Sequence, residues 1–439
     1  MNNINKNSSK AKDSPVYVVD GCRTPFLTTR GRANPFSAAD LAVAAGRPLL
    51  LRQPFLPDAI DEVILGCVIP APDEVNIARV VSLRLGCDIK TPAWTVQRNC
   101  ASGMQALDTA VRNIQGGHAG LILAGGVEAM SRAPLQWRPK LVEWLAGWLR
   151  ARSIKAKLQS LAKLSLKDLR PVITLLKGLT DPSTGLSMGQ TAEELAYEFA
   201  ISRHAMDQYA LASQQRLQQA QKDGVFSEEI TPLFSPDGAV IKEDQGLHPN
   251  SSIEKLAKLK PVFDRPTGLV TAGNSAQITD GACWLLLADE ATVKRLNLKP
   301  LGKITPASWA GLNPAQMGLG PVHAIDSLLK ENNTPFGSVD YWEINEAFAA
   351  QVIACTEAMD NQEYCEHELD GRAKPMGRIA PDRLNVDGGA ISIGHPVGAS
   401  GARIVLHLLQ LLKRSKTKRG VAAICIGGGQ GGAMLAEAV

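Results

Sequence analysis

The chain has 439 residues, 45% hydrophobic and 21% charged, with a net charge of +4. That length calls for two or three core-forming units, and no run of about 18 uncharged apolar residues is present to make a membrane-spanning helix. Residues 138–177 hold ten Lys or Arg against Glu143 and Asp168, a net +8 that leaves −4 for the rest. A basic excess confined to one segment argues against a nucleic-acid partner and for a local basic surface.

In chain order, residues 1–15 are polar, lack the apolar core of a secretory signal, and are expected to form a frayed tail. Residues 16–19 and 61–66 are expected strands, 102–114 a helix, and 121–124 a short strand closed by Gly125-Gly126. Residues 134–266 interrupt this α/β alternation. They are helical in pattern, basic at the start and glutamine-rich at 213–219. Trp137, Leu141, Trp144, Leu145, Trp148 and Leu149 form an apolar helical stripe beside the basic cluster, a composition suited to a membrane surface, a docking partner or the chain's own body.

The chain returns to the first pattern at 269–275, and the strand 284–287 completes it. Residues 339–345 are the next strand, 398–412 a helix, and 421–426 a strand closed by Gly427-Gly428-Gly429. Ala101-Ser102-Gly103, helix, strand and glycines recur as Ala399-Ser400-Gly401, helix, strand and glycines, which points to an internal duplication. The expected division is 15–131 with 268–293 as one half, 132–267 as an insertion, and 296–439 as the second half. The segment with Glu363, Cys365, Glu366, His367 and Glu368 fits no standard metal spacing and is expected to be a solvated loop.

Eight cysteines are scattered without a C-x-x-C pair, a pattern of free thiols in a reducing cytosol. Two of them stand out. Cys100 precedes a helix, where the dipole and free N–H groups are expected to lower a thiol pKa and make a nucleophile for an acyl carbonyl. Cys425 ends an apolar strand beside glycines that let backbone N–H groups approach an oxyanion. His395, between Gly394 and Pro396, is the base expected to take the Cys100 proton. If the halves are duplicates, Cys100 and His395 face each other across a pseudo-twofold. Asn345, at a strand end, is either an oxyanion donor or an Asx turn or helix cap. Gly427, Gly429 and Gly432 match G-x-G-x-x-G, but no helix, second strand and acidic residue follow, so a dinucleotide site is rejected.

These residues together resemble the thiolase family over 15–439. The resemblance rests on N-C-A-S-G-M around Cys100, N-E-A-F at Asn345, G-H-P at His395 and C-I-G-G-G at Cys425, with G-G-V-E-A-M-S (125–131), S-M-G-Q-T-A-E (187–193) and T-A-G-N-S (271–275). It implies a thiolase-like α/β fold of two duplicated layered halves plus a helical insertion (loop) domain. It also implies an acylated Cys100 activated by His395, and Cys425 as acid/base at the substrate α-carbon. Asn345, through a water, and His395 would form one oxyanion hole, and the N–H groups of Cys100 and Gly427 the other. Met188, Ala272, Met317 and Phe348 would line the acyl and pantetheine pocket.

Ser187 stands where many short-chain biosynthetic thiolases have His, and Ala276-Gln277 where they have Ser-Gly. The long 135–180 stretch is similar in placement to the insertion of trifunctional-complex β-subunits, which usually have His where this chain has Asn345. The implied reaction is thiolysis of a 3-ketoacyl-CoA, reversible as a condensation, or acetoacetyl-CoA formation by an acetyl-CoA acetyltransferase. No metal or redox cofactor is implied, since coenzyme A is a substrate. The implied partners are acyl-CoA and CoA, a second copy in a homodimer or homotetramer, and an anionic membrane or β-oxidation subunit at 137–177. A cytoplasmic location, with peripheral membrane association, fits these expectations. The rivals are a decarboxylating ketoacyl synthase, which Cys425 argues against, and an inactive membrane- or partner-binding scaffold, which the intact Cys100, His395 and Cys425 argue against.

Overall fold

Short apolar strands joined by amphipathic helices build the first half, in a computed structural model that describes residues 14–29, 31–161, 164–369 and 371–439. Its strands are β1 (Val16–Arg23), β2 (Glu62–Gly66), β3 (Ala93–Val96), β4 (Leu121–Ala129) and β5 (Thr279–Ala288). Its helices are α1 (Ala38–Leu51), α2 (Ile77–Leu85) and α3 (Ser102–Gln115). Ser37 starts α1 with a capping box to Asp40, satisfying two otherwise unpaired N–H groups. Gly86, at positive φ, ends α2. The strand order is β3-β2-β4-β5-β1, parallel across the first two pairs and antiparallel across the last two.

Between β4 and β5 lies the insertion, with α4 (Pro139–Arg150), α5 (Ile154–Leu161), α6 (Met188–Glu198) and α7 (Arg203–Lys222). The glutamine-rich stretch lies within α7.

The second half has β6 (Gly302–Ile304), β7 (Ser308–Gly311), β8 (Tyr341–Ile344), β9 (Arg419–Ile426) and β10 (Gln430–Glu437), with α8 (Gly320–Glu331), α9 (Ala349–Asp360) and α10 (Val397–Ser415). The pairing of the first half recurs: a parallel bridge from Leu384 to β8, β8 parallel to β9, β9 antiparallel to β10, and β10 antiparallel to β6 and β7. A pairing of β1 with β6 joins both halves into one sheet of eleven strands. Where the first half carries the insertion, the second has only the Gly427-Gly428-Gly429 turn.

Helices α3 and α10 form the middle layer. Met104, Leu107, Ile404 and Leu408 pack there with Ile122 of one half and Ile424 of the other. Trp284 with Leu41 and Leu49 fills the outer core of the first half, and Trp342 with Leu328 and Val352 that of the second. Each such fully buried aliphatic side chain contributes about 1.5–3 kcal/mol. The repeated Ala-Ser-Gly triplets are the crossing point. A Cβ on Gly103 would lie 2.8 Å from Gly398 O, and one on Gly401 2.6 Å from Met104 N.

Two expectations need correction, and one left open is decided in part. Gly125 and Gly126 do not end a strand, since β4 runs through them to Ala129. They are small because a Cβ would lie 2.1 Å from Cys283 O at the first and 1.9 Å from Gly398 O at the second. Residues 363–368 are not a loop: they belong to a helix, Gln362–Glu368, capped by the Asn361 side chain. The apolar stripe of α4 does not point wholly outward. Trp144 and Trp148 stack at 5.4 Å, and the Trp144 indole N–H donates to Ser160 O at 2.8 Å, so this face closes on α5 as a helical hairpin. No residue of α4 or α5 is buried, and Trp137, Val142, Leu145, Leu149, Ile154 and Leu158 remain exposed. Of the expected tail 1–15, residues 1–13 lie outside the described residues.

Candidate active site

Cys100 sits in the tight turn that starts α3. Ser102 holds that turn, its hydroxyl donating to Asn99 O at 2.7 Å and accepting from Arg98 N–H at 2.8 Å. Asn99 is at φ +43°, a left-handed conformation that Asn tolerates. Its amide donates to Gly427 O at 2.8 Å, tying the turn after β9 to the turn before α3. The Gly427 N–H lies where it favours the Cys100 thiolate.

The thiol differs from its expectation. Burial pushes the Cys100 pKa up to about 11, outweighing the Gly427 and Cys100 N–H groups that favour the thiolate. The helix start supplies those N–H groups, but excluding water costs the anion more than they return.

His395 is fixed on both sides. Its backbone N–H donates to Gln277 O at 3.1 Å, and its Nδ1 lies 2.6 Å from Ser400 Oγ. The Ser400 hydroxyl itself donates to Pro396 O at 3.1 Å. Its hydrogen is therefore committed, so His395 Nδ1 carries the proton and Nε2 presents a lone pair. Nε2 is buried with no hydrogen-bond partner among the described residues. Burial, with Arg403 nearby, lowers the imidazole pKa to about 4 and keeps it neutral.

Asn345 follows β8, its N–H donating to Ala423 O at 2.9 Å. Both side-chain amide atoms are buried and unpaired, and the next helix has Phe348 as its cap, so Asn345 is neither a cap nor an Asx turn. Cys425, 1% exposed near the end of β9, has its thiol pKa raised first by burial and next by Cys100, which places the two thiols within electrostatic reach.

Met317, Phe348 and Cys425 share one apolar cluster with Ala192, Val270 and Ala347, with Met188 packed at its edge. Ala272 stands apart from that cluster. It lines an open cleft of about 490 Å³ with His248, Lys255, Leu259, Gly273 and Gln277. The apolar cluster and the cleft are joined by the T-A-G-N-S segment, whose Ser275 bridges to Phe348.

Sequence reasoning missed several residues. Ser400 sits in the repeated triplet, yet its grip on Nδ1 appears only once α10 turns it back five residues. Glu346 is buried and accepts from Tyr209 (3.0 Å), Ser213 (2.7 Å) and Asn385 (3.1 Å), linking α7 to the loop before His395. Its only signal was its place beside Asn345. Among the described residues, no group of three or more His, Cys, Asp or Glu is arranged to hold a metal ion.

The chain that carries these groups has relatives among known proteins. The N-terminal thiolase domain model matches residues 16–291 and the C-terminal one 298–438. The chain belongs to the thiolase family. It is 36% identical to the mitochondrial trifunctional enzyme subunit beta of Bos taurus, over 99% of this chain and 90% of that one. It is 37% identical to a probable acetyl-CoA acyltransferase of Staphylococcus epidermidis, over 95% and 97%. The human mitochondrial 3-ketoacyl-CoA thiolase structure superposes with a TM-score of 0.82 at 35% identity, over 97% of this chain and 99% of that one. The Bacillus anthracis acetyl-CoA acetyltransferase gives 0.84 at 34%, over the same shares. Thiolases are acyltransferases, and the layered α/β architecture of this chain is theirs.

Proposed function

We propose that the protein is a 3-ketoacyl-CoA thiolase, cleaving its substrate with coenzyme A to acetyl-CoA and a shortened acyl-CoA in fatty-acid β-oxidation. The observation that carries this reading is the buried His395 with its tautomer set by Ser400 and Nε2 free. Nε2 takes the Cys100 proton as the sulfur attacks the C3 carbonyl. The oxygen charge that develops there is met by the Cys100 and Gly427 N–H groups. The C2–C3 bond then breaks, leaving the acyl group on Cys100 and an enolate of acetyl-CoA. Cys425 protonates that enolate, and its oxygen is held by the protonated Nε2 and, through a water, Asn345. Acetyl-CoA leaves. The thiolate of Cys425 deprotonates incoming CoA, whose sulfur takes the acyl group, and His395 returns the proton to Cys100.

Raised thiol pKa values suit this cycle, because both thiols stay protonated until the reaction moves a proton. Met188, Met317 and Phe348 form the acyl wall, and Ala272 with its cleft holds the pantetheine arm. The division into 15–131 with 268–293, 132–267 and 296–439 is part of this reading, supported by the recurring strand order. Condensation to acetoacetyl-CoA by an acetyl-CoA acetyltransferase uses the same residues. Thiolysis assays with 3-ketoacyl-CoA substrates of several chain lengths decide between them, and no thiolysis at any length overturns the reading.

A cytoplasmic enzyme working as a homodimer or homotetramer is also proposed. β3 is an edge strand whose outer side has no partner strand in the described residues, which supports pairing with a second copy. The exposed apolar face of the α4–α5 hairpin, within the +8 segment, supports peripheral attachment to an anionic membrane. The variant Leu145→Ser/Leu149→Ser/Leu158→Ser is expected to lose salt-sensitive co-sedimentation with anionic liposomes while keeping thiolysis of a short substrate. If the intact protein ignores liposomes, membrane attachment is wrong and a protein partner takes its place.

A further inference from the structure

Glu128 lies at the end of β4 and is fully buried. A buried carboxylate is costly unless its lone pairs are met. Here they are met by backbone: Val68 N–H at 2.9 Å, Ile69 N–H at 3.0 Å and Gly398 N–H at 3.1 Å, with the Cys67 thiol at 3.7 Å. The first two belong to the loop after β2. Gly398 is in the first turn of α10, three residues from His395. The two backbones touch there, since a Cβ on Gly398 would lie 2.3 Å from Val127 O. The β2 end abuts the start of α3, where a Cβ on Gly66 would lie 2.4 Å from the Ser102 carbonyl carbon. One carboxylate thus ties together the β2 loop, the end of β4 and the helix start that follows His395, beside the helix start that follows Cys100.

We propose that Glu128 is a positioning residue for the acyl-transfer reaction, holding the His395 turn in register with Cys100. The inference rests on the assignment of Cys100 and His395 made above. Burial pushes the Glu128 pKa up, the Val68, Ile69 and Gly398 N–H groups pull it back, and it settles at about 7. The carboxylate is therefore ionised in the alkaline range where the Cys100 thiol begins to titrate, and its charge is a minor second influence, after burial, in raising the Cys100 pKa. The other titratable groups around this hub are Cys67 from the β2 loop, with Glu74 acting on it, and Cys425 across from Cys100.

Charge and placement predict different effects on one sulfur. Removing the charge does not disfavour the thiolate, so alkylation is not slowed. Loosening the turn misplaces the base, so acylation slows down. A merely structural loss has no reason to shift the titration of Cys100. The test follows Cys100 by peptide mass spectrometry in wild type, Glu128→Gln and Glu128→Asp, each checked for folding by circular dichroism. Iodoacetamide reports alkylation across pH 7–10, and acetyl-CoA reports acylation.

Glu128→Gln is expected to alkylate at least as fast as wild type at pH 9 and to acylate at least about 10-fold more slowly. Glu128→Asp keeps the charge but not the reach, so its alkylation profile should match wild type while its acylation slows. A folded Glu128→Gln with slowed alkylation of Cys100, or with unchanged acylation, overturns the proposal. If Glu128→Gln does not fold, Glu128→Asp decides: slowed acylation with a wild-type alkylation profile supports it, and any other result overturns it. Failure of wild-type Cys100 to take an acetyl group would instead sink the thiolase assignment, while the alkylation profiles would still report on the charge of Glu128.

Discussion

The chemistry turns on how a few side chains are held. His395 has its Nδ1 committed to Ser400, so Nε2 is the base. Ser400→Ala frees the ring to rotate and to change tautomer. We expect kcat to fall about 10- to 100-fold with KM little changed, and an equal rise in KM would show that Ser400 serves binding instead. Cys425→Ala should separate the half-reactions. Acetyl-CoA should still label Cys100 in this variant, while no carbon–carbon bond is made or broken. Labelling at Cys425 in a Cys100→Ala variant would show that the two thiols have been assigned in reverse. Because burial holds Cys100 near a pKa of about 11, its alkylation by iodoacetamide should climb through pH 8–10. A plateau already reached at pH 7 would mean a resting thiolate paired with imidazolium.

At the scale of elements, glycines decide how closely the central helices approach the sheet. Gly398 has no room for a methyl group, with Val127 O at 2.3 Å and Glu128 Oε2 at 2.8 Å from an added Cβ. Gly398→Ala must push α10 off β4, at a cost of ~1–3 kcal/mol, and should lower both the unfolding midpoint and thiolysis. Gly147, in the exposed helix α4, has nothing among the described residues within 4 Å of an added Cβ. Gly147→Ala should be stabilising or neutral there, because alanine loses less backbone entropy in a helix. Thermal unfolding of the two variants side by side checks this, and equal losses in both would refute the close-packing argument.

Across the whole molecule, buried charges join the insertion to both halves. Arg23 of β1 pairs with Glu229 and Asp244 of the insertion, each at 2.8 Å, and His407 of α10 lies 3.1 Å from both Glu229 and Asp387. Burial alone would raise Glu229, but His407 and Arg23 outweigh it and hold its pKa at about 2. Burial alone would lower His407, but Glu229 and Asp387 raise it to about 10. The stability from Glu229 is present above pH 4.5 and lost as pH falls through about 2. That from His407 is present below pH 6.5 and lost as pH rises through about 10. Glu128 and Glu343, raised by burial to about 7, lose their contribution as pH rises from 4.5 through that value. His395, lowered to about 4, loses its own as pH falls from 6.5. Between pH 4.5 and 6.5 the two glutamates and His395 act in opposite senses, whereas above pH 6.5 the raised groups act together, so stability should decline from about pH 6.5 toward pH 9–10. A melting-temperature series across pH 4–10 that peaks above pH 8 would contradict this.

The local pattern of the sequence carried the chemistry and most of the frame. Two thiols, a histidine and an asparagine stood in a recognisable order, and alternating strands and helices with a repeated Ala-Ser-Gly showed a duplicated α/β chain. Those signals are legible because strand and helix periods and glycine turns depend on neighbours in sequence. Gly428 and Gly429 do close β9 as read, at φ +93° and +75°. Gly125 and Gly126 carry the same letters, yet they continue a strand, because what they make room for belongs to a distant segment. The Cys100 pKa went the other way from its helix-start reading, since burial depends on every layer around it. Likewise, the sequence left the stripe of Trp144 and Trp148 open between a membrane, a partner and the chain's own body, and only the return of α5 showed that these two rings face another helix. Glu128, Glu346 and Ser400 had no signal of their own: a carboxylate that binds three backbone N–H groups from two other segments acquires its meaning only when the tertiary fold brings those segments together.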